Sequence, residues 1–194
     1  KQYDAALENY KKALEIKPDY AEAYFNMGVT LKDKDDLEAA IDSYKQAIMI
    51  KPNYAEAHNN MGNILKEKGK PVAAIECYKR AIMIKPNYAI AHNNMGSAQK
   101  DTGDLEAAIV SYKKALKIRP DYDGVYKNIG SILKNVVFTK PISGLQEVIS
   151  SIIDRKNIVK PVNISQAAIS LLKLEPTLKE LLENYSAGNL EQPA

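Results

Sequence analysis

A block of 34 residues recurs three times in register, at Ala21–Tyr54, Ala55–Tyr88 and Ala89–Tyr122. A fixed period of this length constrains the fold strongly. It makes each block one supersecondary unit that buries its apolar face only against neighbouring units. Positions in the block are counted from its leading Ala. Position 7 is Met27, Met61 and Met95, position 8 is Gly28, Gly62 and Gly96, and position 24 is Tyr44, Tyr78 and Tyr112. Ala40, Ala74 and Ala108 hold position 20, Ala47, Ala81 and Ala115 position 27, and Pro52, Pro86 and Pro120 position 32. Large and small residues thus recur at helical spacing on two segments, parted near position 15 by Asp35, Gly69 and Gly103. The unit reads as helix A, a tight turn, helix B and a Pro-marked turn. Gly at 8 and Ala at 20 lack bulk, so helices A and B are expected to approach closely there. Each helix is only about three turns long and needs its neighbours to be stable.

These residues, with an aromatic or His at position 4 (Tyr24, His58, His92, Tyr126), resemble the tetratricopeptide repeat family. The resemblance implies an all-α, right-handed solenoid of paired antiparallel helices whose A helices line a concave groove. On that pattern residues 1–136 form the array: a half repeat at 1–20, full repeats at 21–54, 55–88 and 89–122, and helix A of a fourth at 123–136. The chain begins inside a repeat and is expected to be a fragment.

The pattern fails after residue 136, where Val137, Ile142 and Gln146 occupy repeat positions and Pro141 breaks a continuing helix. Residues 137–194 are expected to be a divergent helical region whose first helix caps the array, with the start of another domain as the alternative for the remainder. Capping-box pairs open helices at Ser143 (to about Arg155), Asn163 (to about Leu174) and Thr177 (to about Tyr185). The first carries an apolar stripe of Leu145, Val148, Ile149, Ile152 and Ile153.

Composition narrows the function classes. The formal net charge is +3, too mild for the basic stripe that nucleic-acid binding needs. No apolar run approaches a membrane span, and one cysteine in 194 residues fits a reducing, cytoplasmic setting. No phosphate loop, zinc spacing or nucleophile elbow is present, so neither catalytic residues, a metal site nor a cofactor is expected. His58 and His92 stand where other units have Tyr and read as packing rings. Cys77 falls where the neighbouring units carry Ser43 and Ser111, a polar slot that suggests a partly exposed spectator thiol.

The binding residues are sought on helix A. Positions 2, 5, 9 and 12 share one helix face, and position 6 borders it. Position 6 is Asn26, Asn60, Asn94 and Asn128; position 12 is Lys32, Lys66, Lys100 and Lys134. Asn is a mediocre helix former, and its amide both donates and accepts, as holding a peptide backbone requires. The row resembles the asparagine ladder in the tetratricopeptide superhelix of O-linked N-acetylglucosamine transferases. The alternative role for these amides is bonding between neighbouring repeats. Asn59, Asn63 and Asn93 extend the polar face, and Lys66, Lys100 and Lys134 add charge, with Glu67 and Asp101 beside the first two. Positions 2, 5 and 9 vary between units and would set specificity. Tetratricopeptide clamps for chaperone tails need cations that are missing here, where Asn59, Asn63, Asn94, Gly124 and Asn128 stand. Met49 and Met83 are apolar spots that either meet a partner or fill a repeat interface.

The leading expectation is a protein–protein interaction module that takes an extended peptide in its groove. Two other readings are a substrate-recruiting or regulatory arm of a larger transferase-like enzyme, and a self-assembling, homo-oligomeric scaffold.

Overall fold

The computed structural model describes residues 2–134 together with Leu145, Ile149 and Ser170. The expected tail helices from Ser143, Asn163 and Thr177 otherwise lie outside the described residues; Leu145, Ile149 and Ser170 are helical and buried. Two compact units divide the chain, Lys1–Pro120 and Asp121–Ala194.

The first unit holds seven α-helices: α1 (Gln2–Ile16), α2 (Ala21–Asp33), α3 (Leu37–Ile50), α4 (Ala55–Glu67), α5 (Pro71–Ile84), α6 (Ala89–Asp101) and α7 (Leu105–Ile118). The second opens with α8 (Asp123–Leu133). Helices α2, α4 and α6 are the A helices of the three blocks, and α3, α5 and α7 their B helices. No strand occurs among the described residues.

Each A–B turn needs a left-handed residue. Asp35, Gly69 and Gly103 have φ of 66°, 69° and 82°. Glycine takes this conformation freely, and Asp tolerates it better than most side chains. The B helices then start by two devices. Asp36 and Asp104 accept hydrogen bonds from the amides of Ala39 (3.3 Å) and Ala107 (3.0 Å), whereas α5 is uncapped and opens with Pro71 in its first turn.

The A–B contact is a glycine under a tyrosine. A Cβ on Gly28, Gly62 or Gly96 would lie 2.7–2.8 Å from Cε1 of Tyr44, Tyr78 or Tyr112. All three rings are fully buried, as are Ala40, Ala74 and Ala108. Removing bulk at position 8 is therefore what lets helix A lie against the ring. Within one repeat-to-repeat step the core joins Tyr44, Ala40 and Ala47 of one block to Ala57 and Ile64 of the next. The turn after each B helix is stapled by a lysine ammonium over a tyrosine ring: Lys51 over Tyr54 (4.6 Å) and Lys85 over Tyr88 (4.8 Å).

Ion pairs repeat with the period as well. Lys51 and Lys85 reach back 2.9 and 3.0 Å to Glu22 and Glu56, and Lys34 and Lys68 reach to Asp4 and Glu38. These pairs are largely exposed and add little stability; Lys51 and Lys85 close their own blocks, whereas Lys34 and Lys68 join one unit to the one before it.

Candidate functional site

The A helices touch successively, α2 with α4 and α4 with α6, more than successive B helices do. Within the first unit the A helices thus lie on the tighter side of the stack, which brings their position-6 and neighbouring side chains into one row.

That row is a hydrogen-bonded amide chain. Asn94 Nδ2 donates to Asn59 Oδ1 at 3.0 Å and to Asn63 Oδ1 at 2.9 Å, bridging α6 to α4. Asn63 Oδ1 also accepts from the Tyr78 hydroxyl at 2.8 Å. Asn59 Nδ2 donates to Asn60 Oδ1 at 3.2 Å, and Asn93 Nδ2 to Asn94 Oδ1 at 3.3 Å. Asn59 is 2% exposed, and Asn60, Asn63, Asn93 and Asn94 are half-buried. Asn26 is exposed on α2, and its side-chain amide makes no hydrogen bond to the described residues. The ladder is thus not uniform: Asn94 ties repeats together, whereas Asn26 offers a free amide. In the second unit Asn128 is half-buried on α8.

The ring hydroxyls beneath the row answer to it. Burial pushes Tyr44 up to about 12, with Asn60 pulling the other way. Burial likewise raises Tyr78 and Tyr112, the latter opposed by Ser97. In the block of Tyr44 position 9 is Val29, which can offer a hydroxyl no bond.

Of the lysine row, Lys66 pairs at 3.3 Å with Asp101 of the next repeat. Lys100 is half-buried and engaged, and Lys134 is exposed. Glu22 and Glu56, at variable position 2, are held by Lys51 and Lys85. Variable position 5 holds Phe25, stacked on Tyr54 with centroids 4.8 Å apart.

Both histidines do more than replace a tyrosine. Nε2–H of His58 donates to the Pro52 carbonyl at 3.3 Å, and that of His92 to the Pro86 carbonyl at 3.0 Å. The bond fixes the tautomer and leaves Nδ1 of His92 buried without a partner. Burial holds both imidazoles below the usual histidine range, and the cations Arg80 and Lys114 lower them further.

Cys77 is corrected. The thiol is 8% exposed, not partly open, and burial pushes it up to about 11. Position 23 is a small buried slot rather than a polar surface. Ser43 is accommodated there by donating to the Ala39 carbonyl at 2.9 Å, and Ser111 by donating to Gln99 Oε1 at 2.6 Å. Met49 and Met83 are 68% and 63% exposed, so neither fills a repeat interface.

Sequence reasoning missed a cleft of about 610 Å³ lined by Ile82, Pro86, Asn87, His92, Lys114, Lys117 and Ile118. Its trace in the letters includes a cation at position 26 in successive units, Arg80 and Lys114.

An all-α stack of helix pairs with a shared polar A-helix face defines a helical-repeat interaction module. The family models agree: a TPR repeat model matches residues 1–35, 30–69 and 62–103, and a Tetratricopeptide repeat model matches 89–122. The chain belongs to the tetratricopeptide repeat family. Among curated proteins no relative matches it. Its fold is similar to that in a crystal structure of MamA, at 24% identity and TM-score 0.64, covering 92% of this chain and 91% of that one. It is also similar to MamA 41-end from Desulfovibrio magneticus RS-1, at 18% identity and TM-score 0.64 over 92% and 86% of the chains. A shorter match is the first TPR of Spaghetti (RPAP3) bound to an HSP90 peptide, at 20% identity and TM-score 0.57 over 58% of this chain and 89% of that one. At these identities the likeness is one of fold.

Proposed function

We propose that this chain is a protein-interaction module whose A-helix face binds an extended segment of a partner protein. The supporting observation is the amide row. Asn26 is exposed and its side-chain amide has no hydrogen bond to the described residues, and Asn60 is half-buried, its oxygen accepting from Asn59 and its amide facing the Tyr44 hydroxyl. A peptide backbone presents the complementary N–H and C=O whatever its sequence.

The row also limits the strength of binding. A net hydrogen bond contributes ~0.5–1.5 kcal/mol, and ordering a free segment opposes it. Sequence-tolerant binding of moderate affinity follows, sharpened by the half-buried Phe25 at position 5 and Val29 at position 9. The lysines Lys66 and Lys100 add a mild preference for acidic segments. A partner protein, rather than a nucleic acid or membrane, fits the mild charge of +3. One buried thiol fits a cytoplasmic setting.

A peptide array probed with the purified chain, followed by titration of the best peptide against Asn26→Ala and Asn60→Ala, tests this reading. Weakened binding with an unchanged melting temperature supports it. Unchanged binding in both variants contradicts it.

A further inference from the structure

The cleft between α5, α6 and α7 shares no lining residue with the A-helix amide row. It is built from the C-terminal end of one B helix (Ile82, Pro86, Asn87), one ring of the next A helix (His92) and the last turns of the next B helix (Lys114, Lys117, Ile118). Three of its seven lining residues are apolar and two are cations.

We propose that this cleft is a second docking site, taking an acidic segment of a partner protein whose carboxylates alternate with aliphatic side chains. Charge complementarity selects that occupant. Neither Lys114 nor Lys117 has an ion-pair partner among the described residues, although lysines elsewhere in the unit are paired repeat after repeat. The first turn of α6 brings no acid either, since Ile90 stands where α2 and α4 carry Glu22 and Glu56. Ile82, Pro86 and Ile118 give an aliphatic side chain a surface in the same cleft as the two ammonium groups. A volume of about 610 Å³ is enough for a few side chains, not for a folded element. His92 forms a fixed wall, because its ring is 5% exposed and held by the Pro86 carbonyl.

The period supplies a comparison within the molecule. One repeat earlier the same register reads Ile48, Pro52, Asn53, His58, Arg80, Met83 and Ile84. The cation at position 26 is kept, and Lys117 is replaced by Met83, 63% exposed. The earlier register therefore offers one cation and more apolar surface. An acidic segment should prefer the His92 cleft and extend toward Met83 with apolar residues.

The chain has two histidines, one at each of these places, so their imidazole NMR signals report on the two places separately. The probe is a twelve-residue peptide of alternating Leu and Asp, titrated into the whole chain. The His92 signals should move, and those of His58 should move less. A Leu/Ser peptide of equal length should move neither. K114Q/K117Q, at two exposed positions, should weaken the effect about three- to ten-fold without changing the unfolding midpoint. Asn26→Ala with Asn60→Ala should leave it unchanged, which separates failure of this site from failure of the groove. The proposal is overturned if K114Q/K117Q binds the peptide as well as the parent does. It is equally overturned if inorganic phosphate or a short oligonucleotide moves His92 as far as the peptide at the same concentration.

Discussion

Gly62 lies directly beneath the ring of Tyr78: a Cβ at Gly62 would meet Tyr78 Cε1 at 2.7 Å. The ring cannot swing aside easily, because it is fully buried and its hydroxyl donates to Asn63. Helix propensity alone favours Ala over Gly by about 1 kcal/mol. Overpacking costs ~1–3 kcal/mol and opposes that gain. Gly62→Ala should therefore lower stability by up to about 2 kcal/mol net, read by urea denaturation. An unchanged or raised midpoint would show that the ring yields.

Ala74 tests the same helix pair from the other side. It is fully buried on α5, whereas Ala73 beside it is exposed. Ala74→Leu should cost ~1–3 kcal/mol, and Ala73→Leu should stay within about 0.5 kcal/mol. Similar losses from both would contradict the assigned face of α5.

Asn94 and Asn26 share a repeat position but should behave differently. Asn94→Ala removes two donated bonds between α6 and α4 and should cost about 1–2 kcal/mol. Asn26→Ala removes no side-chain bond and should leave the melting temperature unchanged. Thermal unfolding of the two single variants checks the contrast; equal effects would contradict it.

The histidines set a pH dependence. Both are held below the ordinary histidine value of about 6.5 in the folded chain, chiefly by burial. Between the folded and unfolded values the unfolded chain binds more protons. Their contribution is thus complete above about pH 6.5 and is lost as pH falls through the lowered folded values. The carboxylates of Asp4 and Glu22, lowered by hydrogen bonds from Lys34 and Lys51, act in a more acidic window. Melting temperatures should fall between about pH 6.5 and pH 5, and less so in His58→Tyr/His92→Tyr, which installs the residue that stands at Tyr24. An identical slope in the variant would remove the histidines from the account.

Cys77 should be slow to react. A thiol at 8% exposure raised to about 11 is scarcely ionised at neutral pH. Iodoacetamide should label the folded chain far more slowly than the urea-unfolded chain, and Cys77→Ser should change stability by less than about 1 kcal/mol, because Ser43 and Ser111 fill the same slot. Rapid labelling of the folded chain would contradict its burial.

The sequence made the helix pairing legible for a physical reason. Gly28, Gly62 and Gly96 mark a contact that tolerates no side chain, and Asp35, Gly69 and Gly103 mark a backbone state few residues accept. Such constraints recur as letters. The slot at position 23 did not read correctly, because Ser43 satisfies its hydroxyl on its own helix and so can be buried. The bridging role of Asn94 was hidden too. It depends on the distance from α6 to α4, which no single repeat encodes. The cleft at His92 was hidden for a similar reason: its lining comes from two repeats and a turn, so no single repeat shows it, although every place but Lys117 has its counterpart one period earlier.

The central claim is that the amide row receives a peptide backbone. It is tested most directly by the side-chain amide NMR signals of Asn26 and Asn60 during titration with the strongest peptide from an array. The account predicts that both sets of signals move, that they saturate together with binding, and that Asn26→Ala and Asn60→Ala each weaken the peptide. Binding that leaves both amides unmoved would contradict it.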